Sequence, residues 1–192
     1  MVHVLGDNFS SVPRPAYSYE PEPDPLRESL YLISRMQEAT VQKDCLVRRS
    51  TDQRELQNKM KLTLRLIKQS YRLVDQITYC STFLPAENVV EATEAGNMAA
   101  EELQGAIDYV RGGGLKAGQL ADYQRDFLTG ALQNTREGLF VFLDFMPQGK
   151  LEEARRRIEE ENVANVDELN EELDRNAGIY NPVILPWKNR VK

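Results

Sequence analysis

Few side chains in this sequence can carry acid, base, nucleophilic or metal chemistry. One histidine, His3, and two cysteines, Cys45 and Cys80, stand against 30 aspartates and glutamates. His3 lies in an irregular N-terminal segment, where a lone histidine is far more often solvated than catalytic, so a histidine triad or general base is not expected. One histidine and two distant cysteines make no zinc ligand set. A carboxylate-bridged metal site in a helical bundle needs Glu-x-x-His pairs on two helices, and that motif is missing. The acidic runs at 101–102, 159–161 and 171–172 read as solvated helix faces. "RGGGLKAG", residues 111–118, shares only its glycines with a phosphate-binding loop. It lacks the Gly-Lys-Ser/Thr ending and follows no strand, and a turn between helices that needs positive φ accounts for it. Asn8-Phe9-Ser10 fits a glycosylation sequon, a triplet common by chance. The expectation is a protein that is not an enzyme, with no catalytic residue, metal or cofactor.

Charge and hydropathy narrow the classes further. A formal charge of -6 repels polyanions on average. The basic runs Arg48-Arg49 and Arg155-Arg156-Arg157 are flanked by Asp44, Asp52, Glu152, Glu153 and Glu159, so nucleic acid is not an expected partner. No apolar run approaches the roughly 20 residues of a membrane-spanning helix, which leaves peripheral attachment. The first sixteen residues lack the layout of a secretory signal, so nothing visible directs export. In an antiparallel hairpin turning near residue 51, Cys45 and Cys80 fall roughly 35 Å apart along the axis. That is far beyond the ~7 Å reach of a disulfide. Free thiols fit a reducing compartment.

The elements that position these residues are helices. Residues 1–24 hold Pro13, Pro15, Pro21 and Pro23 among Tyr17, Tyr19, Glu20 and Glu22, the pattern of an extended arm, with a disordered tail as the alternative from composition. Asp24-Pro25 is a helix start, and Leu30, Ile33, Met36 or Gln37, Thr40, Val41 and Cys45 recur at helical spacing to about Arg48. A second helix is predicted from Arg54 to Phe83 on the stripe Met60, Leu64, Ile67, Tyr71, Val74 and Ile77. A third begins at Pro85 and carries Val89, Ala92, Gly96, Ala99, Leu103, Ala106 and Val110, with Gly96 allowing close helix approach. A fourth, Ala117 to Phe145, places Leu120, Phe127, Ala131, Thr135, Leu139, Phe142 and Met146 on one face. Its second half, "GLFVFLDFMP", is apolar nearly all round, so it is either central or covered. After Pro147 a helix shows Leu151, Ala154 and Ile158 as an apolar edge, with Glu152–Arg156 and Glu153–Arg157 as four-residue ion pairs. A short sixth helix is predicted around Asp167 to Arg175. Tyr71, Tyr79, Tyr109, Phe127 and Phe142 fall at core spacings.

The predicted fold is all-α: an antiparallel four-helix bundle at 25–177, with one or two extra short helices and extended arms at 1–24 and 178–192. The C-terminal arm, "GIYNPVILPWKNRVK", carries the only tryptophan, Trp187, and one short strand-like stretch, Val183 to Leu185. Two readings of this arm stand side by side. It runs back to cover the apolar half of the fourth helix, or it docks on a partner.

"LRESLYLISRMQEATVQ" at 26–42, "KLTLRLIKQSYRLVDQI" at 61–77 and "NPVILPWK" at 181–188 resemble, in order and spacing, a group of thylakoid-associated chloroplast proteins of plants and algae. The architecture is similar to that of the four-helix extrinsic subunits of photosystem II, such as the Q-type protein. Those subunits are made with transit sequences, and none is visible here. The resemblance implies a non-enzymatic accessory subunit that binds or bridges components of a photosystem or other thylakoid complex, peripheral to the membrane, in the chloroplast. Its partner-binding residues would be Tyr17, Tyr19, Ile184, Leu185 and Trp187, with Pro182 and Pro186 holding the tail extended. The alternative is a soluble helical adaptor or assembly factor for another complex, located in the cytoplasm.

Overall fold

Six α-helices account for most of the residues described by the computed structural model, which are 24–66, 71–166 and 184–188. They are α1 (Pro25–Arg49), α2 (Gln53–Leu66), α3 (Leu73–Ser81), α4 (Ala86–Arg111), α5 (Asp122–Asp144) and α6 (Gln148–Val166), followed by one 3-10 turn at Pro186–Lys188. Among the described residues the fold is all-α, with one isolated backbone bridge between Asp52 and Gln119. The arm carrying Tyr17 and Tyr19, the helix expected at 167–175 and Pro182 lie outside the described residues.

α1 begins where its sequence says it should. The Asp24 carboxylate accepts the Arg27 N–H at 3.1 Å and Pro25 fills the first turn, where its missing N–H leaves no partner unsatisfied. α1 packs against α2, α3, α5 and α6, and Leu30, Ile33, Met36, Leu46 and Val47 are fully enclosed. Burial of that kind contributes about 1.5–3 kcal/mol for each large aliphatic side chain. The last carbonyls of a helix need outside donors. Arg125 of α5 supplies them, its guanidinium donating to the carbonyls of Val47 at 2.6 Å, Arg48 at 2.9 Å and Ser50 at 3.1 Å.

The long helix expected from 54 to 83 is two helices. Arg72 stands between them with φ 46° and ψ 55°, a left-handed conformation that disfavours any residue with a Cβ. Leu56 and Met60 are buried on α2, and Leu73, Ile77 and Cys80 on α3. Continued at about 100° per residue, those two faces would be out of phase by roughly one residue, and the left-handed backbone at Arg72 falls between them. Val74, placed on the apolar stripe by its spacing, is therefore 53% exposed.

α4 and α5 form the most extensive helix pair. Gly138 makes room for Ala99, since a Cβ at 138 would stand 2.9 Å from the Ala99 methyl. Gly96 does the same for Ile77 of α3 at 2.7 Å. The α4 positions Ala92, Gly96, Ala99, Leu103, Ala106 and Val110 are all buried, as their period requires. The glycine-rich turn after α4 uses positive φ only at Gly113 and Gly118. Gly112 and Gly114 are confined by space instead, against the Asp108 carbonyl and the Tyr109 ring. This turn is tied to the α1–α2 junction by Leu120 N–H to Thr51 O at 2.8 Å and Gln53 N–H to Gly118 O at 3.0 Å.

Two aromatic expectations fail. Phe127 is 46% exposed beside Tyr109, with ring centroids 4.6 Å apart, and Tyr79 lies at the surface edge-on to Phe83 at 5.2 Å. Each satisfies its ring on a neighbouring aromatic at the rim, so core periodicity did not require core depth. In the second half of α5 and just after it, Leu139, Phe140, Phe142, Leu143 and Met146 are all buried and Val141 alone of the large apolar side chains is exposed, at 43%, so this stretch is enclosed on most sides, and α1 is the helix that meets the most neighbours.

Candidate interaction site at the C-terminal turn

α6 meets the body through Leu151, Ala154 and Ile158, all buried. Its polar side is joined to α1 by ion pairs. The Tyr31 hydroxyl donates to Glu161 Oε2 at 2.7 Å, and Arg35 bridges Glu161 and Glu38, reaching Glu38 at 2.6 Å. Arg35 Nη1 also donates to Asn162 Oδ1 at 2.8 Å, and the Asn162 amide donates to Glu38 Oε1 at 2.9 Å. Arg157 pairs with Glu28 at 2.7 Å and Glu161 at 2.8 Å and stacks 3.9 Å over the Tyr31 ring. The expected pairing of Arg156 and Arg157 with Glu152 and Glu153 is replaced. Arg157 turns instead to Glu28 and Glu161, Arg156 faces Glu160 at 4.0 Å, and Glu153 meets Arg27 at 3.5 Å.

Burial opposes ionisation of Glu161, but hydrogen bonds from Tyr31, Arg35 and Arg157 outweigh it and hold the carboxyl below its usual range. Burial, joined by the Glu161 charge, raises the Tyr31 phenol above its ordinary value. Groups held this way act as acceptors and donors in a seam, and the phenol is a poorer acid than free tyrosine. Cys45 and Cys80 are both free, and burial pushes Cys80 up to about 12. Cys80 lies beside Ser29, about 16 residues before Cys45 on α1, which separates the thiols by roughly 24 Å. Among the described residues, no group of three His, Cys, Asp or Glu side chains is placed to hold a metal ion. No described helix is long and apolar enough to cross a membrane.

The C-terminal turn attaches to this same helix. Trp187 Nε1–H donates to Glu159 Oε1 at 3.0 Å, and Lys188 Nζ pairs with Glu159 Oε2 at 2.7 Å. The Arg155 guanidinium lies 5.3 Å from the centre of the indole. Burial works against the charged form of Glu159, yet the bonds from Lys188 and Trp187 prevail and its carboxyl sits below the ordinary range. One carboxylate thus receives both the indole N–H and the ammonium of a single turn.

Within the tail, Pro186 opens a 3-10 turn closed by Lys188 N–H to Leu185 O at 3.1 Å. The expected extended form is corrected here, because proline's fixed φ suits the first position of such a turn as well as an extended chain. Ile184 and Leu185 belong to no strand. Leu185, Pro186 and Trp187 are half-buried, whereas Ile184 is 52% exposed. The described part of the tail lies on α6 and α1, not along the apolar half of α5 as the self-covering reading placed it. Glu159, Arg155 and Lys188 escaped sequence reasoning because they read as ordinary surface charges. The available signal was the indole itself, whose N–H needs an acceptor once its ring is covered. No protein-family model, no curated protein and no solved structure matches this chain.

Proposed function

We propose that this chain is a non-catalytic accessory subunit that binds or bridges components of a photosynthetic thylakoid complex from the membrane periphery. In this reading α1, the α2–α3 pair, α4 and α5 serve as a four-helix body, α6 braces it, and the tail supplies recognition. The thylakoid setting and chloroplast location rest on the resemblance of the stretches at 26–42, 61–77 and 181–188. The mode of action rests on one observation: Ile184 is 52% exposed immediately before a turn that Glu159 fastens through Trp187 and Lys188. A fastened turn presents Ile184 and the free edge of Leu185 with little conformational entropy left to lose on docking. The N-terminal residues Tyr17 and Tyr19 are proposed as a second contact. Trp187→Ala is expected to lower recovery of partner subunits in a pull-down by at least about tenfold, a loss of roughly 1.4 kcal/mol. Unchanged recovery would sink the tail's role. Co-fractionation with chlorophyll-protein complexes is the result this setting requires, and a wholly soluble pool would favour an adaptor for another complex.

A further inference from the structure

Among the described residues, the outer face of α4 carries negative charge with few cations on its own helix. α4 holds six carboxylates, Glu87, Glu91, Glu94, Glu101, Glu102 and Asp108, against the single cation Arg111. Among the described residues, none of Glu87, Glu91, Glu94, Glu101 and Glu102 forms an ion pair. On the α1–α6 side, by contrast, Asp24, Glu28, Glu38, Glu153, Glu159 and Glu161 each meet a cation. Glu94, Met98, Glu101, Gly105 and Asp108 follow one another at helical spacing and are all exposed.

A partly apolar hollow of about 260 Å³ opens along this stripe, lined by Met98, Glu101, Glu102 and Gly105 of α4 and by Phe127 and Ala131 of α5. Two of its walls are large hydrophobic side chains left in water, Met98 at 65% and Phe127 at 46% exposure, and the two glutamates form the polar side. Gly105 forms part of the lining, and nothing among the described residues requires a glycine there. A Cβ at 105 would meet no atom within 4 Å, whereas Gly96 and Gly138 give room to Ile77 and Ala99. A helix-interior glycine costs about 1 kcal/mol relative to alanine, and close approach by an outside backbone is what a bare Cα permits. The hollow is smaller than the roughly 300–1,000 Å³ of small-molecule sites, which favours a side-chain anchor over a cofactor.

We propose that this hollow docks a basic amphipathic helix of a partner protein. The partner's backbone passes over Gly105, one apolar side chain inserts between Met98 and Phe127, and its lysines or arginines meet Glu94, Glu101 and Glu102. Charge complementarity selects the partner class and the apolar anchor fixes its register. The inference rests on the reading of this protein as a binding subunit and names a second surface for it.

The test titrates the full chain with a fluorescent peptide of roughly 18 residues, long enough to form a helix, built from leucine and lysine at helical spacing. A scrambled peptide of the same composition serves as control, at ~0.15 M salt. The wild type is expected to bind the amphipathic peptide at least about tenfold more tightly than the scrambled one. Gly105→Leu fills the hollow without altering charge and is expected to lose that preference while its melting temperature holds or rises. Should Gly105→Leu fail to fold, the surface variant Glu101→Lys/Glu102→Lys is the second probe, expected to lose binding and most of its salt dependence. Equal affinity for both peptides, or full binding by Gly105→Leu, would reduce the effect to bulk acidity and overturn the proposal. So would sedimentation showing a dimer that Gly105→Leu dissolves, which would assign the hollow to a second copy. A chain that loses partners with Trp187→Ala yet ignores the peptide overturns this inference alone. Recovery unaffected by Trp187→Ala overturns the tail reading and leaves the peptide result intact.

Discussion

Lys43 sits on the central helix with its side chain buried, and that burial, together with the Lys59 ammonium, pulls its pKa from 10.5 to about 8. At pH 7 the folded chain keeps the charge at an energetic penalty. Lys43→Met retains the aliphatic stem and removes the charge, so it is expected to stabilise the fold by roughly 1–3 kcal/mol in urea titrations at pH 7. The pH dependence has a definite sign. Between pH 8 and 10.5 the unfolded chain binds more protons at this site than the folded one, so wild-type stability gains from this residue as pH rises. The advantage of the methionine variant should narrow across the same window, and a variant less stable at pH 7 would contradict this account. Lys43 also shows what one residue's type conceals. Asp24 announces its cap by its place before Pro25, while nothing in the spacing of Lys43 tells that it is enclosed.

At the scale of elements, periodicity revealed the faces of α4 and α6 because each buries one main stripe, whereas α1, packed against four helices, is buried on several sides and encloses Leu46 and Val47 while Val41 and Cys45, placed on its stripe by spacing, are only half-buried. Leu151, Ala154 and Ile158 were recognisable as an edge and are buried as an edge. The junction between α2 and α3 was hidden for a physical reason. The run Met60, Leu64, Ile67, Tyr71, Val74, Ile77 keeps helical spacing straight across the break, and only tertiary packing decides that Leu73 rather than Val74 faces inward. The left-handed Arg72 gives a direct check. An exposed pair such as Arg72–Asp75, at 2.6 Å, contributes little. Arg72→Gly should therefore exceed Arg72→Ala in stability by about 1 kcal/mol, since only glycine adopts that φ freely. Equal stability by thermal melting would mean the backbone there is not left-handed.

Across the whole molecule, charge is arranged in two ways. The α1–α6 seam neutralises its acids internally and anchors the C-terminal turn, while the α4 stripe leaves its carboxylates unpaired among the described residues. The all-α class was readable from helical spacing and proline punctuation. The seat of the tail was not, because it depends on Glu159 lying across space from Trp187, and no local pattern links positions 28 residues apart. Binding surfaces built from separate helices, such as Met98 with Phe127, are invisible for the same reason.

The central claim, that the tail recognises a partner, is tested most directly by a native pull-down with mass spectrometry. It compares the full chain with one truncated after Gly178 and follows the melting temperature of both. The account predicts that truncation removes thylakoid-complex subunits from the recovered set while the helical body melts close to the full-length value. An unchanged partner set with a clearly lowered melting temperature would contradict it, making the Trp187–Glu159 contact a closure of the protein's own surface.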